Sequence, residues 1–214
     1  MHDIIILDNF LPKSYEDEIE KHFSSLEFPW YYNPGVSYSQ EENAKFIAND
    51  SNIKETDGFV HRLIIENAKV SGYGDLVRPI MYFVEDKFKV KVNYIIRARA
   101  VMIYKNPVFG EFHNVPHVDD MNKHMTLIYY VNDSDGDTVI FKEKYVNDIS
   151  YSKKTVECRV EPRKGRAVLF DGHRYHTGLL PQTSKVRLVL NYNFTCDAVT
   201  DTFTPPPVVE DAPE

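Results

Sequence analysis

Cysteine is scarce in this sequence: Cys158 and Cys196 are the only two in 214 residues. Two thiols do not build a disulfide scaffold, so a reduced, intracellular setting is the expectation. Long apolar runs are missing as well. The longest, such as Ala100–Tyr104 and Leu127–Val131, are five residues, whereas a membrane helix needs about 20. The chain opens Met1-His2-Asp3 with only Ile4–Leu7 as an apolar run, lacking the basic start and longer apolar stretch of a secretion signal. Basic residues are outnumbered, 25 against 32 acids for a net charge of −7, which argues against a broad basic face for nucleic acid. No internal repeat is visible. What the chain does have is 43% hydrophobic residues, with 13 Phe and 14 Tyr. At this size roughly 70% of the unfolded surface can be buried, and a soluble, acidic, cytoplasmic globular protein is expected.

The pattern along the chain changes from helical to extended. Ile4–Leu7 reads as a short buried strand. Ser14 is a candidate N-cap, and Tyr15, Ile19, Phe23 and Leu26 follow at the spacing of one buried helix face. Residues 29–58 hold Pro29, Pro34, Gly35 and Gly58 without a sustained period and read as mostly irregular. Asp75 is placed to cap a helix running to about Lys87, with Val77, Ile80, Met81, Val84 and Phe88 on one side. From Val90 onward, β-branched and aromatic segments dominate: 90–92, 94–104, 125–131, 138–141, 155–160, 166–170 and 187–194. Helices first and strands afterwards predict an α+β, mainly β domain whose sheets form a sandwich or barrel. Its span is 1–196. Residues 197–214, with four prolines, five acids and no base, read as an extended or disordered tail. Without that tail the chain carries 27 acids against 25 bases, so the net charge says little about a partner.

The eight histidines matter by position. His117-Val118-Asp119 is an H-x-D, which in a strand would point an imidazole and a carboxylate to one side. By itself this tripeptide is weak, and two loop residues facing water are its plainer reading. His113 lies four residues before His117, but Val115-Pro116 between them argues against a continuous helix turn. Asp171-Gly172-His173 is a reversed D-x-H whose glycine suggests a turn, and it makes His173 the main competitor of His176. His22, His61 and His124 fit surface or satisfied core positions. The last strand alternates: Arg187, Val189, Asn191 and Asn193 on one face, Leu188, Leu190, Tyr192 and Phe194 on the other. The polar face either meets solvent or looks into a barrel. In the second case a buried Arg187 requires an acidic ligand or side chain.

Several segments belong together. His117 and Asp119 are followed 57 residues later by His176, and Arg187 lies 11 beyond it. Thr126–Asn132, Asp135-Gly136-Asp137-Thr138-Val139-Ile140-Phe141, Pro162–Phe170 and His176-Thr177-Gly178 with Pro181 complete the set. Over about residues 97–194 this arrangement resembles the iron(II)/2-oxoglutarate-dependent dioxygenases, in their prolyl-4-hydroxylase-like branch. Asp135 and Asp137 depart from that family's usual Gly and Glu.

The resemblance implies a double-stranded β-helix, a cupin-like jelly-roll barrel with flanking N-terminal helices. It implies Fe(II) held by His117, Asp119 and His176, and 2-oxoglutarate gripped by Arg187 with help from Tyr104 and Tyr130. It leaves room for ascorbate. O2 and a peptide, amino acid or metabolite would be the reactants, with nucleic acid and membrane unfavoured, and the carboxylate of Asp119 favours hydroxylation over halogenation. In their blander roles, Tyr104 and Tyr130 pack a barrel, and Arg97, Arg99 and Arg174 are solvated arginines near an entrance. The competing classes are a non-catalytic jelly-roll binding module and a cupin-type metal enzyme.

Overall fold

The computed structural model describes residues 4–35, 38–54, 56–105 and 114–198. The strands are β1 (Ile4–Leu7), β2 (Tyr31–Asn33), β3 (Gly58–Ile65), β4 (Ala68–Lys69), β5 (Val90–Tyr104), β6 (Met125–Tyr130), β7 (Thr138–Lys144), β8 (Val156–Val160), β9 (Ala167–Asp171), β10 (Arg174–Gly178) and β11 (Val186–Ala198). The helices are α1 (Lys13–Phe23), α2 (Gln40–Asn49), α3 (Gly74–Val77) and α4 (Ile80–Phe88).

Two antiparallel sheets face each other as a jelly roll. The large sheet runs β1-β9-β6-β11-β5-β3-β2, with β4 paired to β3; the small one runs β10-β7-β8. The period-2 alternation of β11 decides what each face of the large sheet does. Leu188, Leu190, Tyr192 and Phe194 join Ile19, Phe23, Val77, Ile80, Val84 and Phe88 in the main core, which seats the helices on the outer face. Ile128, Tyr130, Val168, Phe170 and Val189 of the large sheet meet Ile140 and Val160 of the small one inside the barrel. The same inward face also carries polar residues on both sides of Val189: Arg187 on one side, and Asn191 and Asn193 on the other, facing Arg99 and Arg97 of β5.

Several local expectations are corrected. Residues 29–58 do not lack regular structure: they hold β2 and α2, which with Gly58 of β3 make up just under half of the segment. Helix α2 starts on a capping box, in which Ser39 Oγ accepts the Glu42 N–H and Glu42 accepts the Ser39 N–H. That S-x-x-E signal stands in the sequence, but the helix buries only Asn43 and Phe46, too few residues for a visible period. Strand β3 hides because its register shifts between Arg62 and Ile64; the bulge buries Leu63 and Ile64 in succession and breaks the alternation. Helix α1 starts at Lys13 after Pro12, so Ser14 is not its cap. Leu26 is fully exposed, because the helix ends at Phe23 and its period ends with it. The helix expected from Asp75 to Lys87 is split at Arg78-Pro79, where proline brings no N–H to the ladder. The five apolar residues expected on its inner side are all buried.

The strand segments from Val90 onward are all present, with 90–92 and 94–104 joined into one bulged strand. Strand β11 runs on to Ala198, taking in the first two residues of the expected tail. Strand β10 was not foreseen. Both cysteines are unpaired. Among the described residues no helix is long and apolar enough to cross a membrane. His113 and residues 199–214 lie outside the described residues.

Candidate metal centre

The chain brings His117, Asp119 and His176 to one point, their ligand atoms all within 4.8 Å of one another. His176 comes from β10. His117 is not in a strand; it forms an isolated bridge to His176, with the two residues exchanging N–H···O bonds of 3.0 and 2.9 Å. That bridge ties the H-x-D segment to the small sheet. His117 Nε2 lies 3.9 Å from Asp119 Oδ1, and His176 Nε2 lies 3.4 Å from Oδ2.

Both imidazoles are held the same way. His117 Nδ1 donates to the Val115 carbonyl at 3.0 Å, and His176 Nδ1 to the Arg174 carbonyl at 3.1 Å. Nδ1 carries the proton in that arrangement, and Nε2 keeps its lone pair toward Asp119. Burial, then the neighbouring His176, pushes the His117 pKa down to about 3, so its ring is neutral at pH 7. His176 Nε2 is buried without a hydrogen-bond partner. Such an orphan is costly unless something small binds it. Two imidazoles and one carboxylate with open positions form a facial set suited to non-haem Fe(II).

The Asp119 side chain is 1% exposed and is held by cations and amides. Oδ1 accepts Arg97 Nη2 at 2.9 Å and Arg99 Nη2 at 2.8 Å; Oδ2 accepts Asn191 Nδ2 at 3.1 Å and Asn193 Nδ2 at 2.9 Å. Burial alone would raise its pKa, but Arg99, with His176 and Arg97, holds the carboxyl well below its usual range. The sequence treated Arg97 and Arg99 as solvated. The signal that places them inside is their i, i+2 spacing on β5 opposite Asn193 and Asn191.

His173 is not part of the cluster. It stands in the turn between β9 and β10, its ring 6.0 Å from His124 and 5.9 Å from Tyr145. His61 is a satisfied core histidine, bonded to the Pro29 carbonyl and Ser71 Oγ. His124 is buried with Nδ1 on the Asn122 carbonyl, and His22 pairs with Glu18. Arg174 is no entrance residue: it is buried and bonds Glu157 and the Phe141 carbonyl.

A cavity of about 360 Å³ joins this cluster to Arg187. Arg187 is 4% exposed, donates to Thr138 Oγ1 at 2.6 Å, and lies 5.7 Å from the Tyr130 ring. Its Nε has no partner, and among the described residues it makes no ion pair with a carboxylate. Burial lowers its pKa. A buried guanidinium held by one hydroxyl is a receptor for an anion. Glycine makes room beside it: a Cβ on Gly178 would stand 3.4 Å from Arg187 Nη1, and one on Gly136 would meet the Leu179 carbonyl at 2.7 Å. Tyr130 sits inside the barrel, its hydroxyl 2.6 Å from the same Thr138 Oγ1. Tyr104 is placed elsewhere. Ile103 is the residue opposite Arg187 and lines the cavity, so Tyr104, one position on, turns away. The Tyr104 hydroxyl instead bonds Asp57, which raises its pKa to about 12.

Asp135, one of the two departures from the family pattern, anchors the turn that leads into β11. Its carboxylate accepts the N–H groups of Gln182, Thr183 and Ser184 and the Thr183 hydroxyl. Burial opposes ionisation, but these donors prevail and lower its pKa. Asp135→Ala is expected to lower unfolding free energy by about 1.5–3 kcal/mol at pH 7. Because the folded pKa is depressed, that stability is present above the ordinary aspartate pKa of 3.8 and is lost as the pH falls through the folded pKa. Urea titrations at pH 7 and pH 3 check this; the gap between wild type and variant narrows at pH 3.

Residues 101–195 match the family model for the 2OG-Fe(II) oxygenase superfamily. No curated relative matches the chain in sequence. Among solved structures, a 2OG-Fe(II) oxygenase family oxidoreductase from Burkholderia pseudomallei aligns at 12% identity, covering 90% of this chain and 85% of that one, with a TM-score of 0.60. A Trichoplax adhaerens prolyl hydroxylase, solved with a hypoxia inducible factor oxygen degradation domain peptide fragment, aligns at 15% identity, 91% and 84% coverage and a TM-score of 0.58. The non-heme alpha ketoglutarate dependent epimerase SnoN from nogalamycin biosynthesis aligns at 10% identity, 99% and 88% coverage and a TM-score of 0.61. These likenesses are of fold. The family match runs from within β5 to within β11, the segment that carries the His-Asp-His cluster and Arg187, so over residues 101–195 the chain is similar to the 2OG-Fe(II) oxygenase superfamily, and its fold is the one that prolyl hydroxylases share.

Proposed function

We propose that this chain is an Fe(II)- and 2-oxoglutarate-dependent dioxygenase that hydroxylates a C–H bond of a peptide, amino acid or small metabolite, as in the prolyl-4-hydroxylase-like branch. Residues 1–196 act as the catalytic domain and residues 197–214 as its tail. The observation that carries this reading is a buried arginine without a carboxylate partner among the described residues, facing the same cavity as two imidazoles that cluster with Asp119.

His117, Asp119 and His176 hold the iron. When bound, iron and 2-oxoglutarate supply the oxidising chemistry, with O2 consumed and succinate and CO2 released. The chain's own residues do the placing. Val115 and Arg174 carbonyls keep both histidines in the lone-pair tautomer. Asn191 and Asn193 fix the carboxylate plane of Asp119, and its negative charge occupies a position that halogenation would leave to chloride. Arg187 grips the distal carboxylate of 2-oxoglutarate, with Thr138 orienting the guanidinium and Tyr130 orienting Thr138. Tyr104, bonded to Asp57, takes no part in that grip.

The test is succinate release from 2-oxoglutarate by purified protein with Fe(II), ascorbate and air. Slow substrate-independent turnover is expected, accelerated by the correct substrate. A protein that binds Fe(II) and 2-oxoglutarate but releases no succinate with a broad substrate panel would be the non-catalytic module instead.

A further inference from the structure

The reading above leaves Arg62 without an assigned task, beside Arg97 and Arg99, which hold Asp119. Arg62, Arg97 and Arg99 line the same space as Arg187. Arg97 and Arg99 share one face of β5, and Arg62 stands directly opposite Arg99 across the β3–β5 pairing. Like charges placed opposite each other destabilise a sheet, so this grouping calls for an anion. Only Asp119 answers it: Arg97 and Arg99 both use its Oδ1, while Arg62 makes no ion pair among the described residues. Arg99 Nε is buried without a partner. Asp57, the other acid in the wall, is engaged by the Tyr104 hydroxyl. Among the described residues, four guanidinium groups thus face two carboxylates. A divalent cation with a bound dicarboxylate adds no net charge, so the surplus of two positive charges persists.

The surplus also lies apart from the cosubstrate clamp. Arg187 is opposite Ile103 and Arg62 is opposite Arg99. These positions are four residues apart on β5, about 13 Å at the rise of a strand. Arg62 is an exposed residue, so this group of arginines stands where the cavity meets solvent.

We propose, resting on the oxygenase reading of this site, that its substrate carries an anionic group, a carboxylate or a phosphate, received by Arg62 together with Arg97 and Arg99. The cavity is at the small end of ligand pockets, which run from about 300 to 1,000 Å³, and it is shared with the cosubstrate. It therefore suits a small acid or one acidic side chain rather than a large scaffold. Arg62 is the specificity-determining member, because it alone has no part in holding Asp119.

The test is calorimetric titration of protein loaded with Mn(II) and 2-oxoglutarate. The probes are inorganic phosphate, L-aspartate and O-phospho-L-serine, against neutral L-asparagine and L-serine. Blocked tripeptides with a central Asp or Asn separate an acidic side chain from a free acid. At least one anionic probe is expected to bind roughly ten-fold more tightly than its neutral counterpart, and less so in high salt. Arg62→Gln is expected to erase that preference while leaving 2-oxoglutarate affinity unchanged, and Arg62→Lys to restore part of it. Equal affinity for anionic and neutral probes would overturn the proposal. So would an anion preference that survives in Arg62→Gln, or one that vanishes once 2-oxoglutarate is present, since that places the anion on Arg187. If 2-oxoglutarate itself fails to bind the Mn(II)-loaded protein, the oxygenase reading falls first, before any anion is added, and the proposal falls with it.

Discussion

His176→Ala is expected to abolish Fe(II) binding, whereas His173→Ala is expected to leave it within a few-fold of wild type. The two histidines are three residues apart, yet the turn before β10 sends them to different sides. His176 Nε2 is buried 3.4 Å from Asp119 Oδ2, while the ring of His173 lies against His124 and Tyr145. Loss of a partner behind a ligand typically costs about 10–100-fold in metal affinity; loss of the ligand itself should exceed that range. His173→Ala removes only packing, on the order of 1 kcal/mol of stability. Metal titration of both variants, with circular dichroism to confirm folding, separates them. Equal or reversed losses would sink the assignment of His176.

The second large effect belongs to Arg187. Arg187→Met is expected to weaken 2-oxoglutarate by roughly 30-fold or more, the about 2–5 kcal/mol that losing one member of a buried charge pair costs. Metal binding should barely change, because Arg187 touches neither histidine nor Asp119. The same substitution should stabilise the protein without ligand. Arg187 is 4% exposed with an unpartnered Nε, and replacing buried charge by an apolar side chain of similar shape is neutral or stabilising by about 1–4 kcal/mol. Wild type, in turn, gains about 2.7 kcal/mol from 2-oxoglutarate at 100 times its dissociation constant, and Arg187→Met forgoes that gain. Thermal unfolding with and without 2-oxoglutarate reads both changes. A variant that is less stable than wild type and keeps its 2-oxoglutarate response would show Arg187 to be structural.

Legibility in the sequence followed the length of the pattern. Strands β5 to β9 and β11 could be read because β-branched and aromatic residues run through each, and because β11 alternates cleanly between polar and apolar. Strand β10 is Arg-Tyr-His-Thr-Gly, whose inward residues are ligand and lining rather than apolar, so no period marks it. Arg97 and Arg99 were legible as a same-face pair but not as buried. An arginine's burial depends on whether a carboxylate from a distant segment reaches it, here Asp119, some 20 residues on.

What the sequence carried by itself was an order of residues along the chain: H-x-D, a distant His, then Arg187 on an alternating strand. Periodicity gave the faces of that strand, and the resemblance to the iron(II)/2-oxoglutarate dioxygenases, not periodicity, implied that these residues act together. Only the tertiary structure decided which histidine joins the pair, that Tyr104 turns away from Arg187, and that four arginines share one cavity. Those outcomes depend on strand register. One residue of shift exchanges the two faces of a strand, so the register separates Ile103 from Tyr104, and the turn before β10 separates His176 from His173.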